Sequence, residues 1–366
     1  MRKINFLFAA LLALSLLGCR QQPVENNSVV LAYVTSWSSV MPNTDYVTHI
    51  NYAFGHVNET FNGVMINRPP RPDSDNDDGR ATSEDRLRSI VELKKQKPSL
   101  KIMLSIGGWG SGRFSEMAAD EANRLAFAAD CQRVVLEFGL DGIDMDWEYP
   151  TSSSAGISSS PEDTENFTLL MGEIRKAIGN DKLLTFASAA NARYVDFKAV
   201  EPYIDFVNIM TYDMGRAPYH HAAFKPSEHT RNSCEESVDL HVEAGIPIHK
   251  LTLGMPFYGR GIDVISGFID YRNLVNNNGE LGIIGRNGEV TMLEGYKELW
   301  DEDAQAPYWV DAEGKFILTY EIPRSIAIKC EWLKEKGMLG AMYWDYNGDD
   351  DEGTLQKAVY NGVMGK

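Results

Sequence analysis

Residues 141–150 read DGIDMDWEYP, and the acids Asp144, Asp146 and Glu148 fall at every second position. On a β-strand this spacing sends all three side chains to one face. Carboxylates that close cannot all be ionised at neutral pH, so at least one proton is shared and the group titrates as a coupled set. Packing alone is a poor reason for such a cluster, because an unpaired buried carboxylate is costly or neutralises itself. An acid that still holds its proton at neutral pH is what cleavage of an acetal needs. Two other uses stay open on spacing alone. The acids could ligate a hard cation such as calcium or magnesium, or pair with interior bases, for which Arg260 and Lys101 are the main choices.

Eight apolar runs bounded by loop residues read as the strands that must carry these acids. They span 29–37, 49–57, 101–109, 139–150, 183–190, 206–214, 251–260 and 339–349. Most are apolar on both faces, as expected for strands with helices on one side and a barrel interior on the other. Helical patterns alternate with them. Glu84–Lys97 and Asp120–Phe138 carry apolar residues at helical spacing, and the second ends at Gly139. Ser160–Asp163 and Ser233–Glu236 read as capping boxes opening helices that stop at Gly179 and Gly245, and Pro323–Lys336 stops at Gly337. The alternation predicts an α/β fold, a (β/α)₈ TIM barrel over residues 29–366, with its active site where the strands end. Only a short crossover fits between the first two strands. The stretch of about 261–322, between strand seven and its helix, is too long for a structureless loop and reads as a small α+β insertion.

Aromatic residues collect at the same strand ends: Trp37, Trp109, Tyr149, Tyr212, Tyr258 and Trp344. Together with the acids they look like platforms on which pyranose rings stack in a sugar-binding cleft.

DGIDMDWEYP matches DGxDxDxE, and the chain resembles the family 18 glycoside hydrolases, the chitinase family. SIGGW (105–109), MTYD (210–213), MPFYGRG (255–261) and AMYWDYNGDD (341–350) each resemble a landmark of that family, in its order. AYVTSW and NYAFG resemble its first two strands, so the similarity covers about residues 29–360. The resemblance implies substrate-assisted, retaining hydrolysis of β-1,4 linkages after N-acetylglucosamine, without cofactor or metal. It implies that Glu148 protonates the glycosidic oxygen and that Asp146 orients the substrate's own 2-acetamido group. Asp144, with Ser105 and Tyr33, would support Asp146. Tyr212 would hydrogen-bond the acetamido carbonyl, Asp213 would contact the sugar, and Trp344 would floor the subsite of the distorted ring. Phe54, Trp109, Met210, Tyr258 and Arg260 would line the cleft. The implied substrate is chitin or a chito-oligosaccharide. The alternatives are an endo-β-N-acetylglucosaminidase acting on N-glycans and a non-catalytic chitin-binding lectin, against which an intact Glu148 argues.

The rest of the chain concerns address and partners. Residues 1–18 have a basic start at Arg2 and Lys3 followed by an apolar run, the pattern of an export signal. LLGC (16–19) resembles the bacterial lipobox, in which Cys19 is lipidated; a plain signal peptide that happens to contain a cysteine is the alternative. Residues 19–28 read as a polar tether. The expectation is an exported lipoprotein of the cell envelope, anchored to a membrane by lipid, and a monomer. A formal net charge of −17 argues against nucleic acid as a partner. Cys131, Cys234 and Cys330 fall in helical segments and read as buried free thiols. RPDSDNDDGR (71–80) hints at a calcium loop, but its glycine comes one residue late for an EF-hand, which favours a solvated acidic loop. NGDDDEG (347–353) reads as a turn and helix start, and His220–His221 as cleft rim or surface.

Overall fold

The computed structural model describes residues 28–67 and 83–365. The expected leader, Cys19, the expected tether through residue 27 and the acidic 71–80 stretch lie outside the described residues. No helix among the described residues is long and apolar enough to cross a membrane.

Eight parallel strands close into a barrel: β1 (Val29–Thr35), β2 (His49–Val57), β3 (Lys101–Gly107), β4 (Gly142–Asp146), β5 (Leu183–Ala189), β6 (Phe206–Met210), β7 (Leu251–Pro256) and β8 (Gly340–Trp344). Each pairs with the next, and β8 pairs with β1 to complete the ring. Strand parity sets the two faces. Val30, Ala32 and Val34 of β1 join the layer beneath the helices, whereas Val29, Leu31 and Tyr33 fill the barrel interior with Met103, Phe206 and Met342. Both sets are apolar because both faces are covered.

The helices are α1 (Ser83–Val91), α2 (Phe114–Ala119), α3 (Glu121–Phe138), α4 (Asp163–Ile178), α5 (Phe197–Val200), α6 (Cys234–Ala244), α7 (Pro323–Lys336) and α8 (Thr354–Met364). A three-residue 3₁₀ turn, Thr44–Tyr46, serves as the short first crossover. At α6, Ser233 is the N-cap and its hydroxyl oxygen accepts from the Glu236 N–H at 3.3 Å, a device worth about 1 kcal/mol. The Ser160 segment differs from the expected capping box. It forms a turn, α4 starts at Asp163, and the buried Asp163 carboxylate accepts from the Ser160 and Thr151 N–H groups and from the Ser115 hydroxyl. That carboxylate pins the loop after β4 to α2 and α4.

The segment between β7 and α7 is built of β-strands and 3₁₀ turns, so the expected α-helical part is absent among the described residues. Five strands form one antiparallel sheet, starting with Tyr258–Gly261, and Leu274–Asn277, Glu280–Ile284 and Val290–Met292 form another. Gly and Asn recur in this segment as hairpin punctuation between short strands, not at helical spacing. The seventh barrel strand is correspondingly shorter than its apolar run: it stops at Pro256, and Tyr258–Gly261 turns away to pair with Gly267–Asp270. At the return to the barrel, buried Glu321 pairs with fully buried Lys329 of α7, whose ammonium also donates to the Ala222 carbonyl. Losing one partner of such a pair would strand a buried charge. Cys131, Cys234 and Cys330 are buried and unbridged.

Candidate active site

The barrel register places Ser105 of β3, Asp144 of β4 and Thr185 of β5 side by side. All three are fully buried, and the Asp144 carboxylate sits at the centre of four donors. Tyr33 (2.9 Å), Ser105 (2.8 Å) and Thr185 (2.5 Å) donate through hydroxyls, and Asn208 of β6 donates through its amide at 3.1 Å. Burial pushes the Asp144 carboxyl up, and these four bonds pull against it.

Asp146 lies one pleat further along the strand and faces the same way. Its Oδ1 is buried and has no hydrogen-bond partner. Burial first, then the charges of Glu148 and Asp144, push its carboxyl well above the usual range. Strand β4 ends here, two residues earlier than the parity argument requires for Glu148. Glu148 therefore enters from the strand-end loop. It is half-buried and lines the same cleft, and burial lifts its carboxyl to about 7 even though a hydrogen bond with Tyr149 works in the opposite direction.

Backbone contact at this level depends on the two glycines of SIGGW. Gly107 has φ 137° beside Asp146 of β4, and a Cβ there would meet the Asp146 carbonyl oxygen at 1.9 Å. Gly108, at φ 90°, leaves room for the Phe54 ring, which a Cβ would approach to 2.6 Å. Only glycine fits either position.

The acids open into a cleft of about 950 Å³ at the C-terminal mouth of the barrel, within the usual size of ligand clefts. Tyr33, Phe54, Trp109, Asp146, Glu148, Met210, Tyr212, Asp213, Tyr258, Arg260 and Trp344 all line it, together with Tyr149. On the arc of β8, β1 and β2, Phe54 stacks on Trp344 (centroids 5.5 Å apart, 19° between planes), and Trp37 stands 6.4 Å from Trp344. On the arc of β3 to β5, Trp109 meets Tyr149 at 6.4 Å. Trp37 and Trp109 are 65 % and 63 % exposed, which leaves their faces free for a ligand. The Tyr212 hydroxyl donates to the Met342 sulfur at 3.9 Å, and burial keeps it protonated as a donor.

Asp213 is held in a left-handed backbone conformation, φ 56°, and accepts from Arg260 at 2.9 Å. Burial would raise its carboxyl, but His221, Arg260 and Tyr258 outweigh that and keep it below the usual value.

Ser105, expected as support for Asp146, is fully buried behind Asp144 and donates to its carboxylate, so it can reach a substrate only through that residue. Other expectations need correction. His220 and His221 are neither rim nor surface but fully buried, because the strand-six loop lies beneath the insertion. His220 faces Asp301 at 3.3 Å and Thr319 at 3.4 Å, and His221 faces Asp213 at 3.7 Å. Arg260 does not pair with the acid array; its carboxylate partner is Asp213. Lys101 is also elsewhere, 3.6 Å from Asp141 at the far end of the strands. NGDDDEG does form a turn and helix start, with Asp349 accepting from the Leu355 and Gln356 N–H groups of α8.

Residues missing from the sequence reading complete the site. Thr185 and Asn208 interrupt apolar strands with inward-facing polar groups, a signal that was readable. Tyr194, Asn191, Arg231, Asn232 and Phe268 also line the cleft, but from connections whose course local pattern does not specify.

Comparison with known proteins is decisive for the family: residues 29–349 match Glycosyl hydrolases family 18. The chain belongs to that family. Among family 18 relatives it is similar to Chitinase A1 of Niallia circulans, 31 % identical over 90 % of this chain and 58 % of that protein. It is also similar to the Endochitinase of Manduca sexta, 29 % identical over 90 % of this chain and 65 % of that one. The chain thus spans less than two thirds of the length of either relative. Among solved structures, a family 18 N-acetylglucosaminidase from Paenibacillus barengoltzii is 34 % identical with a TM-score of 0.74, covering 92 % of this chain and 99 % of that one.

Proposed function

We propose that this family 18 member is a chitinase-type hydrolase cleaving β-1,4 bonds of N-acetylglucosamine polymers or oligomers, with retention and with help from the substrate. The observation that carries this reading is the set of carboxylates lining the cleft. Among the described residues they are Asp146, Glu148 and Asp213. Asp213 is held by Arg260, and Asp146 precedes Glu148 by two residues at one strand end, so neither is a free nucleophile across the sugar from Glu148.

In the proposed reaction Glu148 gives its proton to the glycosidic oxygen as that bond breaks. The acetamido carbonyl oxygen of the preceding sugar attacks C1, forming a cyclic cation. Asp146 accepts the acetamido N–H and steadies the developing positive charge, while Tyr212 donates to the acetamido oxygen before it attacks. Glu148, now ionised, takes a proton from water, which opens the ring at C1 and restores the starting configuration. Trp344 and Phe54 supply an apolar floor on one side of the acid, and Trp109 with Tyr149 a platform on the other.

A second reading, release of N-glycans by an endo-β-N-acetylglucosaminidase, uses the same catalytic groups. Mass spectrometry of products from defined chito-oligosaccharides and from an N-glycoprotein, run side by side, separates the two. Cleavage of the oligosaccharides is expected; release of intact glycans without it would reverse the order.

The N-terminal reading is likewise proposed: Cys19 carries a lipid that tethers the barrel to a membrane of the cell envelope. Detergent phase partition tests it. The full-length protein should follow the detergent and Cys19→Ser the water; equal partition of both would remove the anchor.

A further inference from the structure

Thr252 of β7 sits directly beside Asn208 of β6 in the barrel register, and both side chains are fully buried. The Thr252 hydroxyl has a single proton and two acceptors in reach, the Asn208 amide oxygen at 2.7 Å and the Val207 carbonyl at 3.3 Å. The first distance is the usual length of an O–H···O bond and the second lies beyond it, so the proton goes to Asn208. With its oxygen engaged there, the Asn208 amide turns its N–H₂ the other way and donates to Oδ1 of Asp144 at 3.1 Å. A chain of donors thus runs from β7 through β6 to the acid on β4.

The four neighbours of Asp144 are not equivalent. Tyr33, Ser105 and Thr185 reach it through hydroxyls, which can rotate and accept instead of donating. An amide changes role only by turning over, and turning over would break the bond that Thr252 makes to its oxygen. We infer that Thr252 is a positioning residue: by holding the Asn208 oxygen it keeps an amide donor on Asp144, so that Asp144 stays an acceptor and the array's proton is left to Asp146 and Glu148. This rests on the proposed reading of those two acids. Without the hydroxyl, either face of the amide could lie against Asp144, and a turned amide would accept a proton from it. Asp144 would then stay protonated to higher pH. The other titratable groups that act on Asp144 are Tyr33 from β1, Asp146 from its own strand and Tyr212 just beyond β6, and removing the Thr252 hydroxyl leaves all three in place.

The test is a titration of Asp144 in the substrate-free protein, by NMR of side-chain ¹³C-labelled aspartate with the Asp144→Asn spectrum identifying the signal. Thr252→Val removes the hydroxyl with little change of shape, and Thr252→Ser retains it. Thr252→Val should move the midpoint upward by roughly 0.7 in pH, the value of one modest hydrogen bond. Thr252→Ser should titrate as wild type. Asn208→Leu should also move the midpoint upward, and adding Thr252→Val to it should move it no further. An unmoved midpoint in Thr252→Val, an equal shift in Thr252→Ser, or a further shift in the double variant would overturn the inference. If Asn208→Leu does not fold, the two Thr252 variants decide alone. The titration needs no turnover, so a wild-type protein that cleaves no chito-oligosaccharide would count against the proposed function and leave this result readable.

Discussion

Asp144 and Asp146 point the same way from one strand, yet Asp144 receives four hydrogen bonds while Oδ1 of Asp146 receives none. Two neighbouring acids with opposite surroundings have different tasks. Asp144 is a fixed, satisfied group that gives the barrel floor its polarity. Asp146 is buried and under-satisfied, and in the proposed mechanism its free oxygen accepts from a donor that the substrate brings.

Substitutions at the two positions should therefore fail differently. Asp146→Asn is expected to lower kcat by roughly 10²–10³-fold with little change in melting temperature, because a group that acts on the transition state is lost. Asp144→Asn puts an amide N–H₂ among three hydroxyl donors and should cost about 1–3 kcal/mol of stability. Steady-state kinetics beside thermal melts check this. Equal kinetic losses with no stability difference would contradict the division.

Activity should fall on the alkaline side. Glu148 must hold a proton to act as the acid, and its carboxyl is lifted to about 7, by burial above all. The pH profile of kcat/KM is expected to bend downward near that value, approaching a tenfold loss for each further pH step. Full activity at about pH 9 would assign the proton to another group.

Stability should follow the same proton with a definite sign. Below about 4.5, the ordinary value for a glutamate, folded and unfolded chains both hold it. As pH rises from there to about 7, the unfolded chain releases the proton first, so folding loses stability across that window. Above it the penalty is fully present, on the order of 1–3 kcal/mol. Glu148→Gln lacks this ionisation. It should melt above wild type at about pH 8 and converge with it near pH 4.5; a difference that does not vary with pH would show that Glu148 is not held protonated by the fold.

The sequence was informative where a regular element imposed its period. Inward parity at 144 and 146 identified the array, and the alternation of apolar runs with capped helices identified the barrel. Parity misjudged Glu148, because β4 stops at Asp146 and nothing in WEYP distinguishes a strand from the turn after it. The insertion was visible as excess length, but its hairpins carry too little periodicity to exclude helix. His220 and His221 were misplaced because their burial depends on Thr319 and Asp301, distant in sequence. Tyr194 left no local trace, since its left-handed backbone and its stack on Tyr149 exist only once α4 and α5 are packed.

The most direct test compares two aryl disaccharides that differ only at C2 of the sugar donating its anomeric carbon, one carrying acetamido and the other hydroxyl, with the product anomer followed by NMR. Cleavage of the acetamido substrate with β-product formed first, and no cleavage of the hydroxyl substrate, is the expected result. An α-product, or comparable hydrolysis of both, would mean that the nucleophile does not come from the substrate.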